Sequence, residues 1–203
     1  MVWALSDGCV EWAAARAVAP GHRESGDEFC VRQFEHRTMI AVLDGLGHGQ
    51  AAAMTAKEGV RLLEQARTPD VVQLVRDCHE GLRGSRGLVI SVAMFDSRDN
   101  TMAWIGVGNV SGTLRSALAP PQRTLLLRGG LVGSALPRLQ PSTVPVTAGD
   151  TLIFATDGVI ASIDQRLLQR PSLQGIAEQI LARCGTGRDD ALALVARYRG
   201  SAR

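Results

Sequence analysis

Four aspartates carry the chemical signal of this sequence. Asp27 opens the run Glu28–Phe34, Asp44 closes Thr38–Leu43, Asp157 follows Thr151–Thr156, and Asp189 stands with Asp190 just ahead of Ala191–Tyr198. Each run is apolar, bounded by turn residues, and reads as a strand. A two-residue turn at Glu35-His36 pairs Phe34 with Arg37, and the same ladder sets Asp27 opposite Asp44. Residues opposite one another share a face of the sheet and lie roughly 4.5–5.5 Å apart. Two carboxylates that close repel unless a cation stands near them, and clustered carboxylates suit hard divalent cations. Spacing alone also admits a plainer reading, in which both acids end strands at a solvated loop.

The second pair strengthens the first. If Thr151–Thr156 and Ala191–Tyr198 are antiparallel neighbours, the end of one meets the start of the other, and two more carboxylates reach the same sheet edge. Gly45 and Gly158 each follow an aspartate. Without a Cβ the chain can turn sharply there and bring a backbone carbonyl toward a cation.

The elements that must position these acids are mostly strands. Besides the four runs above, Glu11–Val18, Leu88–Phe95, Met102–Val107, Ser111–Leu114 and Thr124–Leu127 read as extended. Three apolar stripes at helical spacing interrupt them: Ala52, Ala56, Val60, Leu63; then Val71, Leu74, Val75, Cys78, Leu82; then Leu173, Ile176, Ala177, Ile180, Leu181. The second follows Thr68-Pro69-Asp70, read as N-cap, first-turn proline and early acid; the third has Ser172 as N-cap and Gly185 as stop. Ala117–Arg123, with Pro120 and Pro121, reads as a surface loop. Strands do not alternate singly with helices, so a doubly wound parallel sheet does not fit. The expected fold is α+β, two packed antiparallel sheets with helices on the outside.

Composition narrows the function classes. The 203 residues, 45% apolar and 21% charged, suit a single domain spanning 1–203. A net charge of +2 without a Lys/Arg cluster speaks against nucleic acid, and no apolar stretch approaches the ~18 residues of a membrane span. Met1–Ala15 contains Asp7 and Glu11 and lacks the pattern of a signal peptide. Cys9, Cys30, Cys78 and Cys184 form no CxxC pair and read as reduced core thiols of a cytoplasmic protein rather than a zinc site. No cysteine begins a Cys-x5-Arg signature. Asp44-Gly45-Leu46-Gly47-His48-Gly49 lacks both GxGxxG and a GK[ST] ending, so it is not a nucleotide-binding loop.

Ser25-Gly26-Asp27-Glu28-Phe29, Asp44-Gly45-Leu46-Gly47-His48-Gly49, Ala155-Thr156-Asp157-Gly158-Val159 and Arg188-Asp189-Asp190-Ala191 occur in this order. Together they resemble the metal motifs of the type 2C (PPM) protein serine/threonine phosphatases, in their bacterial sporulation and stress-response branch. The resemblance covers nearly the whole chain, and the length is similar to the stand-alone, RsbX-like stressosome feedback phosphatases. It implies an αββα sandwich and two divalent cations, manganese before magnesium. It implies as substrate a phosphorylated signalling protein, of the stressosome scaffold or an anti-sigma pathway, with neither nucleic acid nor membrane as partner.

The resemblance also implies roles. Asp44 would bridge both ions, Gly45 would offer its carbonyl to one, Asp157 and Asp189 would hold the other, and Asp27 would act mainly through water. Asp190 would support these ligands from behind. Water activated between the two ions would attack phosphorus, so no protein nucleophile is needed. His48 reads either as the acid that protonates the leaving oxygen or as the start of the following helix. Arg23 reads as a phosphate contact or as an exposed loop residue. Gly108-Asn109 stands where larger members have Gly-Asp, which implies a weak or absent third ion. The competing reading of the whole is a non-catalytic type 2C-like module that binds and regulates a partner; hydrolysis of p-nitrophenyl phosphate with and without manganese separates the two.

Overall fold

A computed structural model describes residues 2–118, 122–160 and 172–200, and among these residues the chain forms twelve strands and three helices. In order they are β1 (Val2–Asp7), β2 (Val10–Ala17), β3 (Asp27–Phe34), β4 (Arg37–Gly45), α1 (Gln50–Gln65), α2 (Val71–Gly81), β5 (Leu88–Asp96), β6 (Thr101–Val107), β7 (Ser111–Arg115), β8 (Arg123–Thr124), β9 (Leu127–Arg128), β10 (Ser142–Pro145), β11 (Thr151–Ala155), α3 (Leu173–Cys184) and β12 (Ala191–Tyr198). One sheet runs β1-β2-β12-β11-β7-β8; the other runs β10-β6-β5-β4-β3, with β9 added in parallel to β6. Every other pairing is antiparallel.

The strands are apolar without clean alternation because both faces of each sheet are covered. In β4, Ile40 and Val42 face the inter-sheet core with Trp12, Phe95, Trp104, Phe154, Leu194 and Tyr198, while Met39, Ala41 and Leu43 face α1 and α2. In β2 and β12, Ala13, Ala15, Ala193 and Val195 pack outward against Ile176, Ala177 and Ile180 of α3. Helix, sheet, sheet, helix are thus four layers around three apolar seams, the αββα sandwich expected. Among the described residues no helix is long and apolar enough to cross a membrane. All four cysteines are buried and unpaired, and burial pushes the Cys30 and Cys78 thiols up to about 12.

Several local readings need correction. Helix α2 is capped by Asp70, whose carboxylate accepts from the Gln73 N–H, and not by Thr68. Thr68 instead accepts from the Asp70 N–H, a local turn that leaves Pro69 outside the helix. Thr124–Leu127 is not one strand: Arg123–Thr124 pairs with β7 and Leu127–Arg128 with β6, in opposite sheets. Leu125 lies between them, 5% exposed, in the inter-sheet core. Two edge strands, β1 and β10, were not foreseen. Of the loop expected over Ala117–Arg123, residues 119–121 lie outside the described residues, and Arg123 already belongs to β8.

Candidate active site

The β3–β4 hairpin has the expected register. Phe34 pairs with Arg37 across a turn in which Glu35 takes a positive φ of 45°, and seven steps along the ladder Asp27 faces Asp44. In the other sheet β11 and β12 are antiparallel neighbours, so Asp157 leaves the end of one beside the start of the other, where Asp189 and Asp190 stand. The two sheets therefore deliver their acids to a single cleft. Asp27, Asp44, Asp157, Asp189 and Asp190 line it, with Leu46, Gly47, His48, Val89 and Asn109. Its volume, about 190 Å³, is below the ~300–1,000 Å³ of pockets that engulf a small organic ligand. It suits ions and a group presented by a larger molecule.

Burial and mutual repulsion dominate the electrostatics. Loss of water pushes the Asp27 carboxyl up to about 8, aided by the charges of Asp44, Asp190 and Asp157 and opposed by a hydrogen bond from Thr156. Burial likewise pushes Asp44 up to about 7, aided by Asp157, Asp189 and Asp190. The charge of Asp44 is the largest of those that help to hold the proton on Asp27. Among the described residues no three acids, thiols or imidazoles stand close enough to form a ready-made ligand cage. The aspartates ring the cleft and do not converge on one point. An all-oxygen set whose strongest charged neighbours are other carboxylates fits hard divalent cations.

A web of hydrogen bonds fixes these acids. Asp190, 4% exposed, accepts from the Ala19 N–H through Oδ1 at 2.8 Å and from the Gly26 N–H through Oδ2 at 2.7 Å. The Gly26 carbonyl in turn accepts from the Gly45 N–H at 3.0 Å. One carboxylate from the β12 sheet thereby ties down the neighbours of Asp27 and Asp44 in the other sheet. Thr156 does the same work in the reverse sense: its hydroxyl donates to Asp27 Oδ2 at 2.7 Å and accepts from the Leu192 N–H at 2.9 Å. Thr156 was not singled out in the sequence; the only cue was its place before Asp157. Asn109, noted only as a departure from pattern, donates its amide to Asp157 Oδ2 at 2.8 Å.

The two glycines permit close backbone packing rather than a left-handed turn. Neither Gly45 nor Gly158 has a positive φ. A Cβ on Gly45 would collide with the Ala52 carbonyl, and one on Gly158 with the Asp190 carbonyl. They allow close packing of backbone on backbone, α1 against the end of β4 and β12 against the turn after β11. His48 is exposed at the cleft and packs against His22 in a tilted ring contact, with centroids 4.8 Å apart and an interplanar angle of 46°. It does not start the helix: Gly49 is the N-cap of α1, and no side chain caps it. Arg23 is exposed and does not line the cleft.

Comparison with known proteins places the chain in a family. The family described as Stage II sporulation protein E (SpoIIE) matches residues 35–199. The phosphoserine phosphatase RsbX of Bacillus subtilis (strain 168) is 25% identical over 166 residues, 81% of this chain and 83% of its own. A protein solved in work on the bacterial stressosome as a modular system adapted to control secondary messenger signalling is 27% identical, with a TM-score of 0.87 over 93% of this chain and 99% of its own. A crystal structure of RsbX with magnesium, 21% identical, superposes with a TM-score of 0.87 over 98% of this chain and all of its own, a likeness of fold. The chain belongs to the SpoIIE family of type 2C (PPM) metal-dependent protein phosphatases.

Proposed function

We propose that this phosphatase hydrolyses phosphoserine and phosphothreonine on a stress-signalling protein of the stressosome or anti-sigma type, using two divalent cations, manganese in preference to magnesium. The observation that carries the reading is the in-register pair Asp27, buried, and Asp44, half-buried, both raised in pKa, facing Asp157 and Asp189 across one cleft. The likeness to RsbX, a phosphoserine phosphatase, supports the substrate class. Asp44, Asp157, Asp189 and the Gly45 carbonyl would hold the ions, with Asp27 acting through their water. When bound, such cations acidify water and neutralise phosphoryl oxygens. Asp190 and Thr156 orient the acids from behind, and Asn109 restrains Asp157. His48, exposed and lining the cleft, would give a proton to the departing serine oxygen. Four buried, unpaired thiols suit a reducing cytoplasm.

The alternative, a silent binding module, gives no reason to crowd like charges in one cleft. Hydrolysis of p-nitrophenyl phosphate and of a phosphoserine peptide tests the choice. Activity should vanish in EDTA and return with manganese or magnesium. Full recovery with zinc or copper while manganese does nothing would count against an all-oxygen site.

A further inference from the structure

Five aspartates surround the cleft, and a phosphate monoester arrives carrying close to two negative charges. With the two divalent cations proposed above in place, four of the five carboxylate charges lining the cleft would be offset, which leaves no surplus of positive charge to draw an anion in. A cation at the entrance would favour its approach. The structure puts such a cation beside the lining, although Arg86 is not itself a lining residue. The guanidinium of Arg86 leans over Gly47, a lining residue, so closely that a Cβ on Gly47 would lie 3.2 Å from Arg86 Nη1. The backbone around Arg86 is firmly held. The Gly87 carbonyl accepts from the Leu46 N–H at 3.0 Å, Ser85 Oγ accepts from the Gly87 N–H at 3.0 Å, and the Leu82 carbonyl accepts from the Ser85 N–H at 3.0 Å. Thus the segment joining α2 to β5 is tied to the loop that follows Asp44, while the Arg86 side chain stays exposed. Among the described residues no carboxylate forms an ion pair with it.

We propose that Arg86 binds the phosphoryl group of the incoming substrate at the lip of the acidic cleft, donating to oxygens that do not react. The inference rests on the phosphatase reading of the site. A guanidinium matches two phosphate oxygens with parallel N–H donors, which an ammonium cannot reproduce. Gly47, with φ of 93°, leaves the space that the guanidinium occupies.

The test is full-length protein loaded with magnesium, as wild type, Arg86→Ala and Arg86→Lys. Arg86→Ala should raise the KM for p-nitrophenyl phosphate and the inhibition constant of inorganic phosphate each about tenfold or more, the scale of one charge-assisted contact. Its kcat should change less, its affinity for magnesium should stay put, and Arg86→Lys should recover part of the loss. An unchanged phosphate inhibition constant in Arg86→Ala overturns the proposal. So does a loss confined to a phosphoprotein substrate, which would make Arg86 a contact for the partner's surface, or a fall in magnesium affinity, which would make it a brace for the loop. Equilibrium binding of inorganic phosphate to the magnesium-loaded protein separates this claim from its premise. If the wild type hydrolyses nothing yet binds phosphate through Arg86, the inference stands and the enzymatic reading falls.

Discussion

Asp44 occupies the most contested spot in the cleft: Asp27 lies opposite it in register, and Asp157, Asp189 and Asp190 all act on its charge. If it contacts both cations, Asp44→Asn weakens both at once. Its manganese-dependent turnover should fall by ~10²–10³-fold or more, the scale of removing a main electrostatic stabiliser. Asp157→Asn and Asp189→Asn should each remove most activity, while Asp27→Asn, able to keep a hydrogen bond with Thr156, should be milder. Near-normal turnover by folded Asp44→Asn would refute the assignment. His48 gets a separate test through the leaving group. His48→Ala should slow phosphoserine hydrolysis ~10²–10⁴-fold and p-nitrophenyl phosphate far less, since nitrophenolate departs without a proton. Equal effects on both substrates would exclude the acid role.

At the scale of elements, what aligns the acids is a set of contacts between the two sheets. Asp190 is the clearest, because its two oxygens satisfy two backbone N–H groups of the segment leading into β3. Removing an acceptor from a buried donor costs about 1–3 kcal/mol. Asp190→Ala should therefore lower the unfolding free energy of metal-free protein by roughly 2–4 kcal/mol in denaturant titration. Asp44→Asn in the same assay should be neutral or stabilising, because it relieves repulsion. An Asp190→Ala protein as stable without metal as the wild type would mean that this carboxylate serves as a ligand and not as a clasp.

The same comparison shows where reading from sequence stops. The Asp27–Asp44 register was legible because a two-residue turn and a period of two determine a hairpin completely. The juxtaposition of Asp157 with Asp189 was legible only conditionally, since pairing of strands 30-odd residues apart leaves no local mark. The crossing at Leu125, the edge strands β1 and β10, and the hydroxyl of Thr156 reaching Asp27 across 129 positions depend on sheet order, which periodicity does not encode. The cap of α2 was misread because Thr68 and Asp70 are both good caps, and only the hydrogen bond to Gln73 decides between them.

At the scale of the whole molecule, the αββα sandwich buries charge where its two sheets end, and that has a consequence for stability. Asp27 and Asp44 titrate in the folded state near 8 and 7, against 3.8 for an ordinary aspartate. A folded pKa above the unfolded one means that the folded state binds protons more tightly. Its contribution is complete below about pH 4 and is lost as pH rises through 7 and 8. Other shifted groups fall outside this interval: Glu58 and Asp96 are lowered, and Cys30, Cys78 and Tyr198 lie near 12. In EDTA, then, the Tm should decline between pH 5 and pH 9. Magnesium or manganese, by binding the ionised pair in the folded state alone, should raise the Tm most at the alkaline end and flatten the curve. Asp44→Asn should flatten it without metal, because one of the two titrations is gone and the repulsion that adds to the effect of burial on the other is reduced. A Tm in EDTA that rises from pH 5 to pH 9, or a metal-induced increase that is larger at pH 5 than at pH 9, would show that the two aspartates are not the proton-binding pair described here, and that the charge in the cleft is balanced by something other than a bound cation.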